Sequence, residues 1–292
     1  MSANLRAVAI LLLSVPALAS PTPAQTFLGP TPYLSKSDSP LRLTKPTLDD
    51  VEDGALNILG VSADFGSVYG PAFNADSVDA DDGSIDGSGT NGHSFFSPFG
   101  ATGITFGFDD AVIGGFPTSA GVTWTDGSGS VSFEAFDANG ASLGQVGPYS
   151  LADGSDNGTT AEDRFLGIAH RAGISAIKIV CLSGGIEVDH VQYSVGALSL
   201  EANDTMLSAN DTLTLTVAGG QASQPAMLVA LAVNGSPIFI PIYSSTFDGA
   251  GELALSTTVP SGLAGITLDL VGLGIVASGK PRFSNEVELA FN

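Results

Sequence analysis

Basic side chains and sulfur are scarce in this sequence. Lysine and arginine together number 9 against 30 aspartates and glutamates, a formal net charge of −21. Phosphate backbones and anionic lipid surfaces are bound through clustered basic residues, so nucleic acid is excluded as a partner. Divalent cations, basic partners or plain solubility are favoured instead. The one cysteine, Cys181, rules out an internal disulfide. It lies in the apolar run Ile177-Lys178-Ile179-Val180-Cys181-Leu182 and reads as a buried small hydrophobe rather than a reactive thiol. Apolar runs long enough for a membrane span of ~20 residues are also missing. Ala7 to Val15 is too short, and Ile266 to Ala277 is short, carries Asp269 and is broken by glycines. Arg6 before the first of these runs, and Ala17-Leu18-Ala19 and Ala24 after it, give residues 1–24 the form of a signal peptide, cut after Ala19 or Ala24. The expectation is a secreted, extracellular protein with no anchor.

What is present is material for sheets. Hydrophobic residues make up 43% of 292 residues, enough for about two packed domains. Of the 37 glycines, 16 fall in Asp-Gly, Asn-Gly and Gly-Gly pairs, which mark reversals between short strands. Residues 25–46, rich in proline and serine, read as a linker or extended arm. Beyond it apolar residues recur every second position. Ile104, Phe106 and Phe108 share a face, as do Val122 and Trp124, then Val131, Phe133 and Ala135, then Ile177, Ile179 and Cys181. Asp126-Gly127, Asn139-Gly140, Asn157-Gly158 and Gly184-Gly185 bound them. Period two at this spacing predicts a β-sandwich or barrel over residues 47–196. Between Ile186 and Val195 the phase flips at Asp189-His190, which fits either a β-bulge or a strand buried on both faces.

A second patterned region, 197–292, contains strands near Leu213–Val217, Met227–Val233, Ile238–Tyr243, Gly251–Val259, Ile266–Val271 and Val287–Phe291. Asn234-Gly235, Asp248-Gly249 and Ser278-Gly279 separate them. About seven short strands in under a hundred residues suit a smaller immunoglobulin-like sandwich, without the Cys-Trp-Cys marks of true immunoglobulin domains. The fold class is therefore all-β, with two sandwiches in series.

Val51-Glu52-Asp53-Gly54 opens the first region and Glu187-Val188-Asp189-His190-Val191 closes it. Together they resemble the galactose-binding-like jelly roll found in many carbohydrate-binding modules. The resemblance covers about 150 residues on short motifs. It implies that Glu52 and Asp189 are ligands of a structural Ca²⁺, an ion that takes 6–8 oxygen ligands; solvated carboxylates at strand ends are the plainer reading. The stretch from Asp76 to Phe96, with Glu162-Asp163-Arg164-Phe165, also resembles a group of secreted bacterial proteins, some ending in a sorting tail that is not seen here. That likeness implies location rather than activity.

The acidic loop after Asp76 adds Asp79, Asp81, Asp82 and Asp86 as candidate metal ligands. Neither register of the EF-hand template fits. Counting back from Gly83 places Val78 and Ala80 where acids belong, and counting from Gly87 puts His93 at the position of the bidentate glutamate. A calcium loop of another kind and a solvated acidic turn both remain open. Glu162-Asp163-Arg164 reads as a local ion pair capping a strand.

No catalytic motif is present. His93, His170 and His190 lack HExxH or His-x-His spacing. Gly92-His93-Ser94 starts like a nucleophile elbow, but Phe96 occupies the place of its second glycine. Tyr69, Phe95, Phe96 and Tyr149 lie near turns and are the candidate ligand-binding aromatics; Phe95 and Phe96, as strand neighbours, must face opposite ways, whereas Trp124 reads as core. The expectation is a non-catalytic, calcium-stabilised secreted or cell-surface protein engaging glycans or matrix. A dedicated carbohydrate-binding lectin and a glycan-active hydrolase or lyase are the alternatives.

Overall fold

The computed structural model describes residues 25–153, 158–275 and 281–292. The proposed signal peptide, Asn157 of the Asn157-Gly158 turn and the Ser278-Gly279 turn lie outside them. The described residues fall into two compact units, 25–196 and Ala197–Asn292. Both are β-sandwiches.

The first unit contains twelve strands: β1 (Thr26–Pro32), β2 (Thr47–Asp49), β3 (Val61–Ala63), β4 (Ser67–Tyr69), β5 (Ser94–Ser97), β6 (Ile104–Phe108), β7 (Ser119–Asp126), β8 (Val131–Asp137), β9 (Ser142–Tyr149), β10 (Arg164–Ala169), β11 (Ile174–Cys181) and β12 (Ile186–Ser194). A seven-stranded sheet runs β1-β10-β7-β12-β5-β4, with β2 also on β12, and a five-stranded sheet runs β3-β6-β11-β8-β9. Their facing sides carry the alternating residues expected: Ile104, Phe106, Val122, Trp124, Phe133, Leu166, Ile168, Ile177, Ile179 and Cys181 are all fully buried in one core. Each such side chain contributes about 1.5–3 kcal/mol over its exposed state. Cys181 is indeed buried, its thiol 2.9 Å from the Ser183 carbonyl.

Residues 25–46 are not a linker. β1 forms the edge of the seven-stranded sheet, pairing Phe27 with Ile168 and Thr31 with Phe165, and Phe27 packs on the core edge-on to Phe133. The prolines that suggested a linker are tolerated because an edge strand has one side free of the ladder.

Both readings of the Asp189-His190 irregularity hold together. The register of β12 against β7 jumps between Asp189 and Gln192, His190 has φ +48°, and every residue of β12 is buried. The strand is covered on its core side by the five-stranded sheet and on its outer side by the β1–β2 arm and the loop from Gly70 to His93. Backbone bonds fix that covering layer, from Tyr33 N–H to Asp163 O and from Ala80 N–H to Leu34 O. A small apolar cluster of Tyr33, Leu41, Val78 and Phe165 lies within it. Gly89 is where the loop crosses itself: a Cβ there would fall 2.0 Å from the Ser77 carbonyl oxygen.

The second unit adds β13 (Ser199–Ala202), β14 (Met206–Leu207), β15 (Thr212–Ala218), β16 (Pro225–Val233), β17 (Ser236–Thr246), β18 (Glu252–Thr258), β19 (Thr267–Ile275) and β20 (Pro281–Phe291). Its sheets run β13-β15-β18 and β14-β20-β19-β16-β17, with β14 parallel to β20. This exchange of the first strand between sheets gives an immunoglobulin-like arrangement around Leu215, Leu228, Leu270 and Leu289. Asn234 (φ +49°) and Gly235 (φ +69°) make the two-residue turn of the β16–β17 hairpin, as Asn-Gly between apolar runs predicts.

Candidate metal centre

The outer side of the seven-stranded sheet carries two groups of acids, one of them closed by hydrogen bonds and the other not. The closed group is Asp81, Asp189 and His190, whose ligand atoms lie within 4.8 Å of one another. Asp189 is fully buried. Its Oδ1 accepts the His190 backbone N–H at 2.6 Å, and its Oδ2 accepts that of Val78 at 3.1 Å. Burial first, and then the Asp81 charge, holds its pKa well above the ordinary aspartate value. His190 Nε2 lies 2.7 Å from Asp81 Oδ2 and Nδ1 lies 2.9 Å from the Tyr33 hydroxyl, which takes a further bond from Gln192 Nε2 at 3.1 Å. Gln192 Oε1 in turn accepts from Ser39. One arrangement satisfies the chain: Gln192 donates to Tyr33, Tyr33 to His190 Nδ1, and the His190 Nε2–H to Asp81. Neither imidazole nitrogen is left over for a metal in it.

The six candidate ligands do not converge. Glu52, named by the resemblance, closes on His93, whose backbone N–H it accepts at 2.5 Å and whose Nδ1 lies 3.2 Å away. Asp79 is buried but serves the loop itself, accepting from Asp86 N–H at 3.0 Å, Gly87 N–H at 3.1 Å and the Thr160 hydroxyl at 2.9 Å. Asp82 caps its own turn at Ser84, and Asp86 accepts from the Ser84 hydroxyl. Of the six, only Asp81 and Asp189 meet.

The second group went unrecognised in sequence. Asp76 N–H donates to Glu187 Oε2 at 2.7 Å, and the Ser94 hydroxyl donates to the same oxygen at 2.6 Å. Ser94 is thereby engaged as a donor to a carboxylate, not poised as a nucleophile. Glu187 lies across from Asp126 in the β12–β7 register. Asp126 in turn meets the Glu162 carboxyl, whose Oε2 accepts the Asp153 N–H at 3.1 Å. Asp163 follows Glu162, and the Asp76 charge is the strongest acting on it. The proposed ion pair at Glu162-Asp163-Arg164 does not form: the Arg164 guanidinium donates to the Asp163 backbone carbonyl at 2.7 Å. Burial, then neighbouring acids, pushes Asp76 up to about 9, Glu162 to about 8 and Asp163 to about 10.

The aromatic candidates separate into three places. Phe95 is buried and packs on Phe106 in the core, so it cannot contact a ligand. Tyr149, on the edge strand β9 of the other sheet, packs partly against the same core. Tyr69 and Phe96 come together on the outer side of the β4–β5 edge, ring centroids 4.7 Å apart. Phe73, which sequence reasoning passed over, joins Tyr69 at 5.2 Å and is 70% exposed.

No protein-family model matches the sequence, and no curated protein matches it. Solved structures that resemble it in part include the tetra-tandem repeat in the extending region of a large adhesion protein, at 11% identity, 80% of this chain, 49% of that one and a TM-score of 0.29. A beta-1,2-glucanase from Parabacteroides distasonis is similar at 8% identity, 80% and 37% coverage and a TM-score of 0.24. A superoxide reductase (neelaredoxin) from Ignicoccus hospitalis is similar at 10% identity, 33% and 80% coverage and a TM-score of 0.26. Among the described residues no helix is long and apolar enough to cross a membrane. The chain is thus an all-β protein with glycoside-hydrolase and adhesion-repeat structures among its distant neighbours, at scores too low to argue from.

Proposed function

We propose that this is a non-catalytic extracellular or cell-surface protein. Its first unit is a cation-stabilised jelly roll of the galactose-binding-like kind that engages glycans or matrix, and its second is an immunoglobulin-like spacer. The observation that carries the glycan reading is the aromatic group at the β4–β5 edge. Tyr69 lies against both Phe73 and Phe96, and Phe73 presents most of its surface to water. An exposed ring on the short 3-10 turn that follows β4 suits the apolar face of a sugar, and the Tyr69 hydroxyl adds a polar tip.

Several features favour binding over turnover. His93 is tied to Glu52 and His190 to Asp81 and Tyr33. Asp76, Glu162, Asp163 and Glu187 of the second group are buried, and the half-buried Asp126 touches Glu162, whereas glycosidase carboxyls stand about 5–10 Å apart around a sugar. The test is retention of the full secreted chain on a polysaccharide array, with Phe73→Ala and Tyr69→Ala compared. A loss of roughly two- to tenfold in retention is expected on removing either ring, since aromatic contacts of this kind are worth roughly 0.5–1.5 kcal/mol beyond burial. No retained glycan, or equal retention by the variants, would remove the reading.

A further inference from the structure

We propose that Asp76, Glu162 and Asp163, with Glu187 and Asp126, form a calcium-binding centre that clamps the Gly70–His93 loop and the segment before β10 onto the outer face of the seven-stranded sheet. Asp76 is 2% exposed, Glu162 1% and Asp163 0%. Both carboxylate oxygens of Asp76, both of Asp163 and Oε1 of Glu162 are buried with no well-formed hydrogen bond, the Asp79 backbone N–H approaching the Asp163 carboxylate too loosely to make one. The Thr123 and Thr125 hydroxyls, on the same side of β7, are also buried and unpartnered. The two bonds that Glu187 accepts both fall on Oε2, leaving Oε1 outside them.

An unpaired buried carboxylate costs several kcal/mol, and several at one place repel one another as well. Such a group is neutralised either by protons or by a cation. The charges acting most on Asp76 are Glu187, Asp126, Glu162 and Asp153, all negative. His93 lies against Glu52 and His190 against Asp81, and neither contact involves these acids. A hard divalent ion answers the donor set. Every available atom is oxygen, with no imidazole or thiolate to favour zinc. Ca²⁺ accepts 6–8 oxygens in irregular geometry, while Mg²⁺ demands a tight octahedron and keeps its waters. The position differs from the Asp81–Asp189–His190 group, whose ligand atoms already lie within 4.8 Å of one another but satisfy one another, whereas the acids proposed here must draw together around the ion. It also stands apart from glycan engagement and survives if every glycan test fails.

The test is calcium titration of the full mature chain, stripped with chelator, followed by calorimetry and by thermal melting. Wild type is expected to take up Ca²⁺ saturably and to melt later with it than without it. Asp76→Asn/Asp163→Asn is expected to bind at least about tenfold more weakly, since ligand charge sets affinity, and to lose the calcium-induced shift. Without calcium it should melt no earlier than wild type, because the cost of keeping two buried carboxyls protonated has been removed. Glu162→Gln serves the same purpose should the double variant misfold. Glu201→Gln, in the second unit, should respond as wild type does, as should the Phe73→Ala protein. A wild-type chain indifferent to millimolar Ca²⁺ would overturn the inference. So would a calcium response kept in Asp76→Asn/Asp163→Asn or Glu162→Gln but lost in Asp189→Asn, which would place the ion at the other group.

Discussion

The Tyr33 hydroxyl lies 2.9 Å from Nδ1 of His190, across 157 residues of sequence, and the two rings meet edge to face at 5.3 Å. This bond fastens the first strand's arm to the last strand of the same sandwich. His190 can reach it because the bulge in β12 puts that residue at φ +48°, turning its side chain under the covering layer. Tyr33→Phe keeps the stacking on Phe165 at 5.9 Å but strips His190 Nδ1 and Gln192 Nε2 of their shared partner. The expected cost is about 1–3 kcal/mol, that of leaving buried polar groups unsatisfied. Urea denaturation followed by the fluorescence of Trp124 would measure it; a change under about 0.5 kcal/mol would mean that water replaces the hydroxyl.

Asp79 does with backbone N–H groups what the acidic loop was expected to do with a cation. Its carboxylate holds Asp86 and Gly87 from the far side of the loop and Thr160 from the segment before β10. Asp79→Ala leaves three donors without their acceptor, and a loss of about 1–3 kcal/mol follows. Asp82→Ala removes only a turn cap at Ser84 and should stay within about 0.5 kcal/mol. Equal effects from the two would show that the loop is held by its charge rather than by Asp79's bonds.

The sheets are legible in the sequence because a strand half-covered by a core repeats its apolar residues every second position, as at Ile104, Phe106 and Phe108. The Asn234-Gly235 reversal is legible for an equally local reason. β1, β13 and β14 are not. β1 has prolines and a glycine in place of alternation, and the two-residue β14 is too short to show a period. The candidate site divides the same way. Asp189 stands out as an acid beside a phase flip and Asp81 as one of an acidic loop, but their meeting depends on that loop folding back over β12. Asp76 and Glu187 are 111 residues apart, and no spacing rule connects them. One local signal was available: Glu162-Asp163 leads directly into Phe165-Leu166, an apolar strand with no room for water, so acids at its threshold were bound to be covered.

Phe95 and Phe96 test the assignment of faces, since neighbours in one strand have opposite fates. Phe95 is 5% exposed and lies 5.7 Å from Phe106 in the core. Phe95→Ala should therefore cost about 3–5 kcal/mol. Phe73→Ala, at the exposed end of the outer aromatic group, should cost no more than about 0.5 kcal/mol. Comparable losses would mean that the outer group is part of the folding core and not a surface available to a ligand.

His170 sets a pH dependence that can be isolated from the acids. It is 4% exposed, its Nδ1 finds no partner, and burial lowers its pKa below the ordinary histidine value, with Asp137 opposing the shift. Below about pH 6.5 the unfolded chain binds a proton at this residue that the native state does not. Stability is then lost as pH falls from about 6.5 towards the depressed native value, at a slope approaching about 1.4 kcal/mol per pH unit. The buried acids act in the opposite sense when no cation is bound: their native pKa values are raised, so the folded state keeps protons that the unfolded chain releases above about pH 4, and stability falls as pH rises towards about 8–10. The difference between wild type and His170→Gln cancels that contribution, because glutamine cannot titrate and the acids are common to both. Stability curves measured between pH 5 and 7 should converge on acidification, with wild type losing more. Parallel curves would show that His170 protonates in the native state as readily as in the unfolded chain.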